Sequence, residues 1–188
     1  MTIKTFYFNP FRECTYIVQD GDNTIVIDPG MLTDKEKERF KEYWEANHLT
    51  LTHILITHAH EDHVCGLDWL QSTIHNSPLG APSTIHKSPL GAPSTIHNNQ
   101  LPPDWQLIPT PGHKEDAVCF YIPKEGVLFS GDTLFQESIG RTDLPGGDMS
   151  ELMRSLQKLK QLPPETVVYP GHGYTTTIAH EIEYNPYL

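Results

Sequence analysis

The chain has 188 residues, 37% of them hydrophobic, and a formal net charge of −11. That length suffices for a single domain, residues 1–188, with a two-layer core. The acidity argues against nucleic-acid or anionic-membrane partners, which need a basic surface, and with no run of about twenty apolar residues no membrane span is expected.

The first thirty residues read as strands over Ile3–Phe8, Thr15–Gln19 and Thr24–Ile27, with Gly21-Asp22-Asn23 as a hairpin turn. Asp34 to Asn47 is a charged amphipathic helix with Phe40, Tyr43 and Trp44 on one face. An apolar segment, His53 to Thr57, reads as a buried strand, and a helix is expected through Val64 to Leu70. Further strands are expected at Trp105–Ile108, Ala117–Ile122 and Val127–Phe129. Asp148, with Glu151 three residues on, is the predicted N-cap of a helix burying Met149, Leu152, Met153, Leu156 and Leu159. A strand through Thr166-Val167-Val168 and a short helix from Thr176 close the series.

Residues 72–99 hold an internal repeat of eleven residues. Ser72–Pro82 recurs as Ser83–Pro93 with Lys87 in place of Asn76, and a partial third copy starts at Ser94. Pro and Gly in every copy exclude a continuous helix, and so few copies cannot build a solenoid with its own core. The expected unit is an extended S-T-I-H piece followed by an S-P-L-G-A-P turn, a duplicated surface segment. His75, His86 and His97 are not expected to bind metal.

Thr57-His58-Ala59-His60-Glu61-Asp62-His63 concentrates four potential metal ligands between a strand and a helix. On an extended chain, residues i and i+2 point to the same side, so His58 and His60 can grip one ion. Asp62 and His63 begin the helical turn and suit a second. Imidazole with carboxylate is a ligand set for zinc, and also for iron or manganese. Three more candidates each follow a predicted strand: His113 in T-P-G-H, Asp132 in S-G-D-T, and His172 in Y-P-G-H-G. Loops at strand ends are where α/β sheets place their chemistry. Cys14, Cys65 and Cys119 are odd in number and widely spaced, which reads as free thiols in a reducing compartment; Cys65 lies one turn past the cluster. The N-terminus lacks the apolar stretch of a secretory signal, so a cytoplasmic location is expected.

T-H-A-H-E-D-H, S-G-D-T-L-F, G-R-T-D-L-P-G-G-D and Y-P-G-H-G together resemble the metallo-β-lactamase superfamily, in particular its glyoxalase II-like (hydroxyacylglutathione hydrolase-like) members. The resemblance runs from Asp28-Pro29-Gly30 to Asn185-Pro186. It implies an α+β fold, a four-layer αββα sandwich of two mixed sheets with helices outside. It implies one metal held by His58, His60 and His113, and another by Asp62, His63 and His172. Asp132 would bridge the two, and Asp62 and Asp132 would be the carboxylates of the catalytic centre. The implied enzyme is a zinc-dependent hydrolase with two ions per chain and a metal-bridging hydroxide, acting on a small-molecule thioester or related acyl compound. A lactonase, or an iron-dependent persulfide dioxygenase needing only His58, His113 and Asp132, is the alternative on the same fold. Asp28 is the candidate to orient a ligand histidine, and Arg141 with Asp143 reads as an ion pair tying the Asp132 loop. Two departures from the family pattern stand out. Lys114-Glu115-Asp116 follows His113 where relatives carry Thr and a small residue, and the helical glutathione-binding domain of full-length glyoxalase II enzymes is expected to be absent.

Overall fold

Phe6 and Phe8, two residues apart on the first strand, β1 (Thr2–Phe8), are buried while Tyr7 between them is exposed, as a strand covered on one face requires. The computed structural model describes residues 1–75 and 101–188. Its contacts gather into two compact units, Met1–Ile96 and His97–Leu188. The second and third copies of the repeat lie outside the described residues. The first four residues of the first copy, Ser72 to His75, are helical rather than extended. They continue a helix already anchored by buried Leu67 and Leu70, so the preceding turns decide their conformation.

In the first unit, β1, β2 (Glu13–Asp20), β3 (Asn23–Ile27) and β4 (His53–Leu55) form a mixed sheet in that order, antiparallel except for the parallel pair β3/β4. The parallel step requires a crossover, supplied by α1 (Asp34–Ala46). That helix opens on a capping box, Thr33 with Glu36, which satisfies two donors of its first turn. Its Phe40 is 1% exposed and packs with Phe6, Phe8, Trp44 and Trp69. Truncating it to alanine would cost about 3–5 kcal/mol. The cluster strand is shorter than expected, ending at Leu55, and the helix after it is split into α2 (Glu61–Val64) and α3 (Leu67–His75). At the break, the Gly66 N–H donates to Pro29 O at 2.8 Å.

The second unit holds a five-stranded mixed sheet built from β5 (Gln106–Pro109), β6 (Val118–Ile122), β7 (Val127–Gly131), β10 (Val167–Pro170) and β11 (Thr176–Thr177). Its spatial order is β11-β10-β7-β6-β5. Only β7/β10 is parallel. The crossover between them carries a small hairpin, β8 (Leu134–Phe135) with β9 (Ser138–Ile139), and then α4 (Met149–Leu159). Asp148 caps α4 as expected, accepting from the Glu151 N–H at 2.9 Å. Leu152, Leu156 and Leu159 are fully buried, but Met149 is 46% exposed; it sits in the first turn, before the helix settles on the sheet. A last helix, α5 (Ile178–Tyr184), follows β11.

Strand direction explains where the candidate ligands fall. Two antiparallel steps take β5 through β6 to β7, and a parallel step leads on to β10, so β5, β7 and β10 run the same way. His113, Asp132 and His172 therefore all follow the same edge of that sheet. In the first unit, β3 and β4 are parallel, so Asp28 and the His58–His63 segment likewise leave one edge together. Among the described residues, no helix is long and apolar enough to cross a membrane.

Candidate metal centre

Asp28 is the hub of the first unit's cluster. It is 2% exposed and sits at φ +49°, just past β3. Its carboxylate accepts from the Thr57 N–H at 2.7 Å and from the Thr57 hydroxyl at 2.6 Å, and it lies 3.0 Å from His63 Nδ1. The oxygens of a carboxylate accept from such donors. His63 therefore carries its proton on Nδ1 and presents Nε2 as the ligating nitrogen. Thr57 Oγ1 also lies 3.1 Å from His58 Nδ1. Since the hydroxyl proton goes to Asp28, the oxygen accepts from His58 Nδ1–H, and His58 too presents Nε2. One carboxylate thus sets the tautomers of two histidines, one directly and one through a threonine. Asp28 stands out in the sequence at the end of an apolar strand, whereas nothing in the sequence marks Thr57 for this role.

His58 Nε2 lies 3.0 Å from His60 Nδ1, and His63 Nε2 lies 3.8 Å from Asp62 Oδ2. The pairs His58/His60 and Asp62/His63 expected from strand and helix geometry are therefore adjacent in space. Asn9 fixes this loop from beside it: its side-chain N–H groups donate to Gly30 O at 3.0 Å and to Asp62 O at 2.9 Å. Cys65 donates to Gly30 O at 3.1 Å, and burial pushes its thiol up to about 11. It acts as a hydrogen-bond donor here. Cys14 and Cys119 are buried and form no disulfide.

In the second unit, Asp132 Oδ2 lies 3.5 Å from His113 Nε2 and 3.6 Å from His172 Nε2. His113 is 3% exposed and its Nδ1–H donates to the Arg141 carbonyl at 2.7 Å, again leaving Nε2 to ligate. Two glycines make this packing possible. Gly112 is at φ +135°, and a Cβ there would lie 2.2 Å from the Leu152 nitrogen at the start of α4. A Cβ on Gly140 would lie 1.8 Å from Asp132 O and 3.0 Å from His113 Nδ1. The expected Arg141–Asp143 ion pair is present, bidentate at 2.7 Å on both oxygens, with both side chains largely exposed. Those hydrogen bonds from Arg141 hold the Asp143 carboxyl at about 2. What reaches the site is the Arg141 backbone carbonyl, which no residue-type motif could flag. After His113, the Lys114 carbonyl accepts from Gly112 and Ala117 N–H groups at 3.2 Å, so backbone bonds form the turn despite its unusual side chains. Tyr174 is 75% exposed. His53 and His180 have partners elsewhere, Thr52 and Glu137.

The donor spacings fit metal binding. Two ligand atoms each ~2.1 Å from a tetrahedral ion are about 3.4 Å apart. The His58/His60, His113/Asp132, His172/Asp132 and Asp62/His63 spacings of 3.0 to 3.8 Å bracket that figure. At least three of the histidines have a hydrogen-bonded second nitrogen, as metal-ligating histidines do.

The sequence profile of the metallo-beta-lactamase superfamily matches residues 10–96 and 97–172. The hydroxyacylglutathione hydrolase of Francisella tularensis subsp. novicida is 33% identical over 177 residues, covering 93% of this chain and 68% of that protein. The crystal structure of the BLEG-1 B3 metallo-beta-lactamase is similar at 32% identity and a TM-score of 0.81, covering 100% of this chain and 99% of that one. TTHA1623 in a di-iron-bound form is similar at 34% identity and a TM-score of 0.82, covering 98% of this chain and all of that one. These matches bear out the expected α+β fold of the metallo-β-lactamase type, with its two mixed sheets.

Proposed function

This chain belongs to the metallo-beta-lactamase superfamily of metal-dependent hydrolases, and we propose that within it the protein is a two-metal thioesterase of the hydroxyacylglutathione hydrolase type. The observation that carries this reading is the 33% identity to a hydroxyacylglutathione hydrolase across 93% of the chain. It is joined to donor pairs spaced for shared ions in both units. The ligand grouping follows the family resemblance: His58, His60 and His113 for one ion, Asp62, His63 and His172 for the other, and Asp132 for both. Zinc is the proposed metal, since nitrogen and oxygen donors suit it. When bound, such a pair supplies a nucleophile at neutral pH and polarises the substrate carbonyl.

The chain's own residues do the rest. Asp28 holds His63 in the Nδ1–H tautomer and, through Thr57, holds His58 in the same form. The Arg141 carbonyl does this for His113. Each ring is thereby fixed before substrate arrives, so little reorganisation is needed at the moment of reaction. A thioester suits such a site because thiolate departs without a strong general acid, and the proposed roles leave no side chain to act as one.

The test is metal analysis of the mildly purified chain together with thiol release from S-lactoylglutathione and other small thioesters. Two metal equivalents per chain and zinc-dependent thiol release are expected. Similarity to a di-iron-bound structure makes iron the alternative metal, and similarity to ETHE1 from Myxococcus xanthus, a persulfide dioxygenase, at 29% identity and a TM-score of 0.80 supports a dioxygenase as the second reading. One equivalent of iron, no thiol release and oxygen uptake with a persulfide would replace the hydrolase by a dioxygenase.

A further inference from the structure

Beneath Asp28 lies a second layer of buried polar groups on β2 that the proposed chemistry does not use. Glu13 and Thr15 are both 0% exposed; two residues apart on a strand, they face the same side. Glu13, Asp28 and His63 form a wholly buried group with polar atoms within 4.8 Å of one another. The Thr15 hydroxyl lies 2.7 Å from the Asp28 carbonyl, 3.0 Å from the Gly30 nitrogen and 2.9 Å from Glu13 Oε2. One oxygen thus clamps both ends of the Asp28-Pro29-Gly30 turn, whose middle residue has no N–H to offer. Asp28 needs the clamp, because a non-glycine residue at positive φ is held there only by its surroundings.

Proton counting defines the roles. A hydroxyl has one proton and two lone pairs. The Asp28 carbonyl can only accept, so it takes the hydroxyl proton, and the Gly30 N–H donates to one lone pair. The remaining lone pair faces Glu13, and the contact is satisfied when the Glu13 carboxyl carries the proton. Glu13 Oε1 has no hydrogen-bond partner among the described residues, a placement tolerable for a neutral acid and costly for a buried anion.

We infer that Thr15, seated by Glu13, is a positioning residue for the metal ligands: it fixes the Asp28 turn, and Asp28 in turn fixes the rings of His63 and, through Thr57, His58. The inference rests on reading His58 and His63 as ligands. It adds two residues from a strand that contributes no ligand at all.

The full-length protein, loaded with zinc, tests it by the rate of zinc transfer to a chromogenic chelator. Thr15→Val should release zinc about 10–100-fold faster, the range for loss of a ligand's supporting hydrogen bond. Thr15→Ser, which keeps the hydroxyl, should stay within about threefold of wild type, and so should Glu13→Gln, whose amide N–H can replace the carboxyl proton. A second readout needs no metal. In the metal-free protein, the imidazole N–H protons of His63 and His58 should exchange slowly with water by NMR, and Thr15→Val should expose them. If the valine variant fails to fold, Thr15→Ala against Thr15→Ser makes the same comparison. A folded variant without the hydroxyl that keeps both wild-type zinc release and wild-type N–H protection overturns the inference. Wild-type protein that holds no zinc overturns the metal reading instead, and N–H protection still decides whether Thr15 orients the rings.

Discussion

In the first unit the candidate ligands occupy one short stretch, His58 to His63, whereas in the second they are spread from His113 to His172. The compact set is local in sequence, yet its support is distant: Asp28 lies 29 residues before Thr57 and 35 before His63. The dispersed set is gathered by topology, three like-directed strands ending on one sheet edge. Its support comes from the backbone, the Arg141 carbonyl and the close passage of Gly140. A side-chain hub tolerates graded weakening by substitution. A backbone-packed loop does not, because adding a single carbon displaces the ligand-bearing segment itself.

The largest effect is expected at the point where the second unit's ligands converge. Asp132→Ala removes the oxygen that lies 3.5 Å and 3.6 Å from the two histidines. On the proposed ligand set it should lower both metal content and turnover well beyond the roughly 10–100-fold typical of an outer partner. Elemental analysis beside the thioester assay measures this, and wild-type activity in Asp132→Ala would remove the two-metal proposal. Next comes Gly140→Ala, whose new methyl would overlap Asp132 O and press on His113. Such a clash between backbone segments should cost on the order of 2–4 kcal/mol, read as a shift of the urea midpoint in metal-free protein, with metal lost as well. A fully stable Gly140→Ala variant would show that this loop yields more easily than its packing implies.

Asp28→Asn tests the other kind of support. The amide keeps the shape of the carboxylate but has only one accepting oxygen for the Thr57 N–H, the Thr57 hydroxyl and His63 Nδ1–H. Metal affinity should fall about 10–100-fold while the fold persists, as chelator competition and circular dichroism would report. If Asp28→Asn proved as damaging as Gly140→Ala, the contrast between a tunable hub and a rigid loop would collapse.

The same contrast governs what the sequence could reveal. The candidate ligands were legible as patterns of residue type: four in the H-x-H-x-D-H cluster, and His113, Asp132 and His172 each beside Gly after an apolar run. Most strands and the Asp148 cap were legible for the same reason. Asp28 could be suspected from its place at the end of a strand, but its partners lie far along the chain and carry no spacing signal. The Arg141 carbonyl was invisible in principle, since every residue has one; the exposed side-chain ion pair drew attention instead. Glu13 and Thr15 read as ordinary strand residues until their burial is known. The β8/β9 hairpin, two residues a side, is too short for any periodicity. Helical Ser72–His75 shows tertiary anchoring by Leu67 and Leu70 overriding a local motif.

The smallest effect is expected at Cys65, where a ligand role and a supporting role make opposite predictions. The thiolate is the form that binds metal, yet the thiol proton is directed at the Gly30 carbonyl 3.1 Å away. That bond adds a further tie between the Asp28-Pro29-Gly30 turn and the helix break after His63. Serine supplies a hydroxyl donor at the same position with nearly the same reach. Cys65→Ser should therefore retain two metal equivalents and release zinc within about threefold of the wild-type rate, well below the 10–100-fold expected when a ligand loses its orienting partner. Loss of one equivalent in Cys65→Ser would make the thiol a ligand, and the first unit's set would then extend beyond His63.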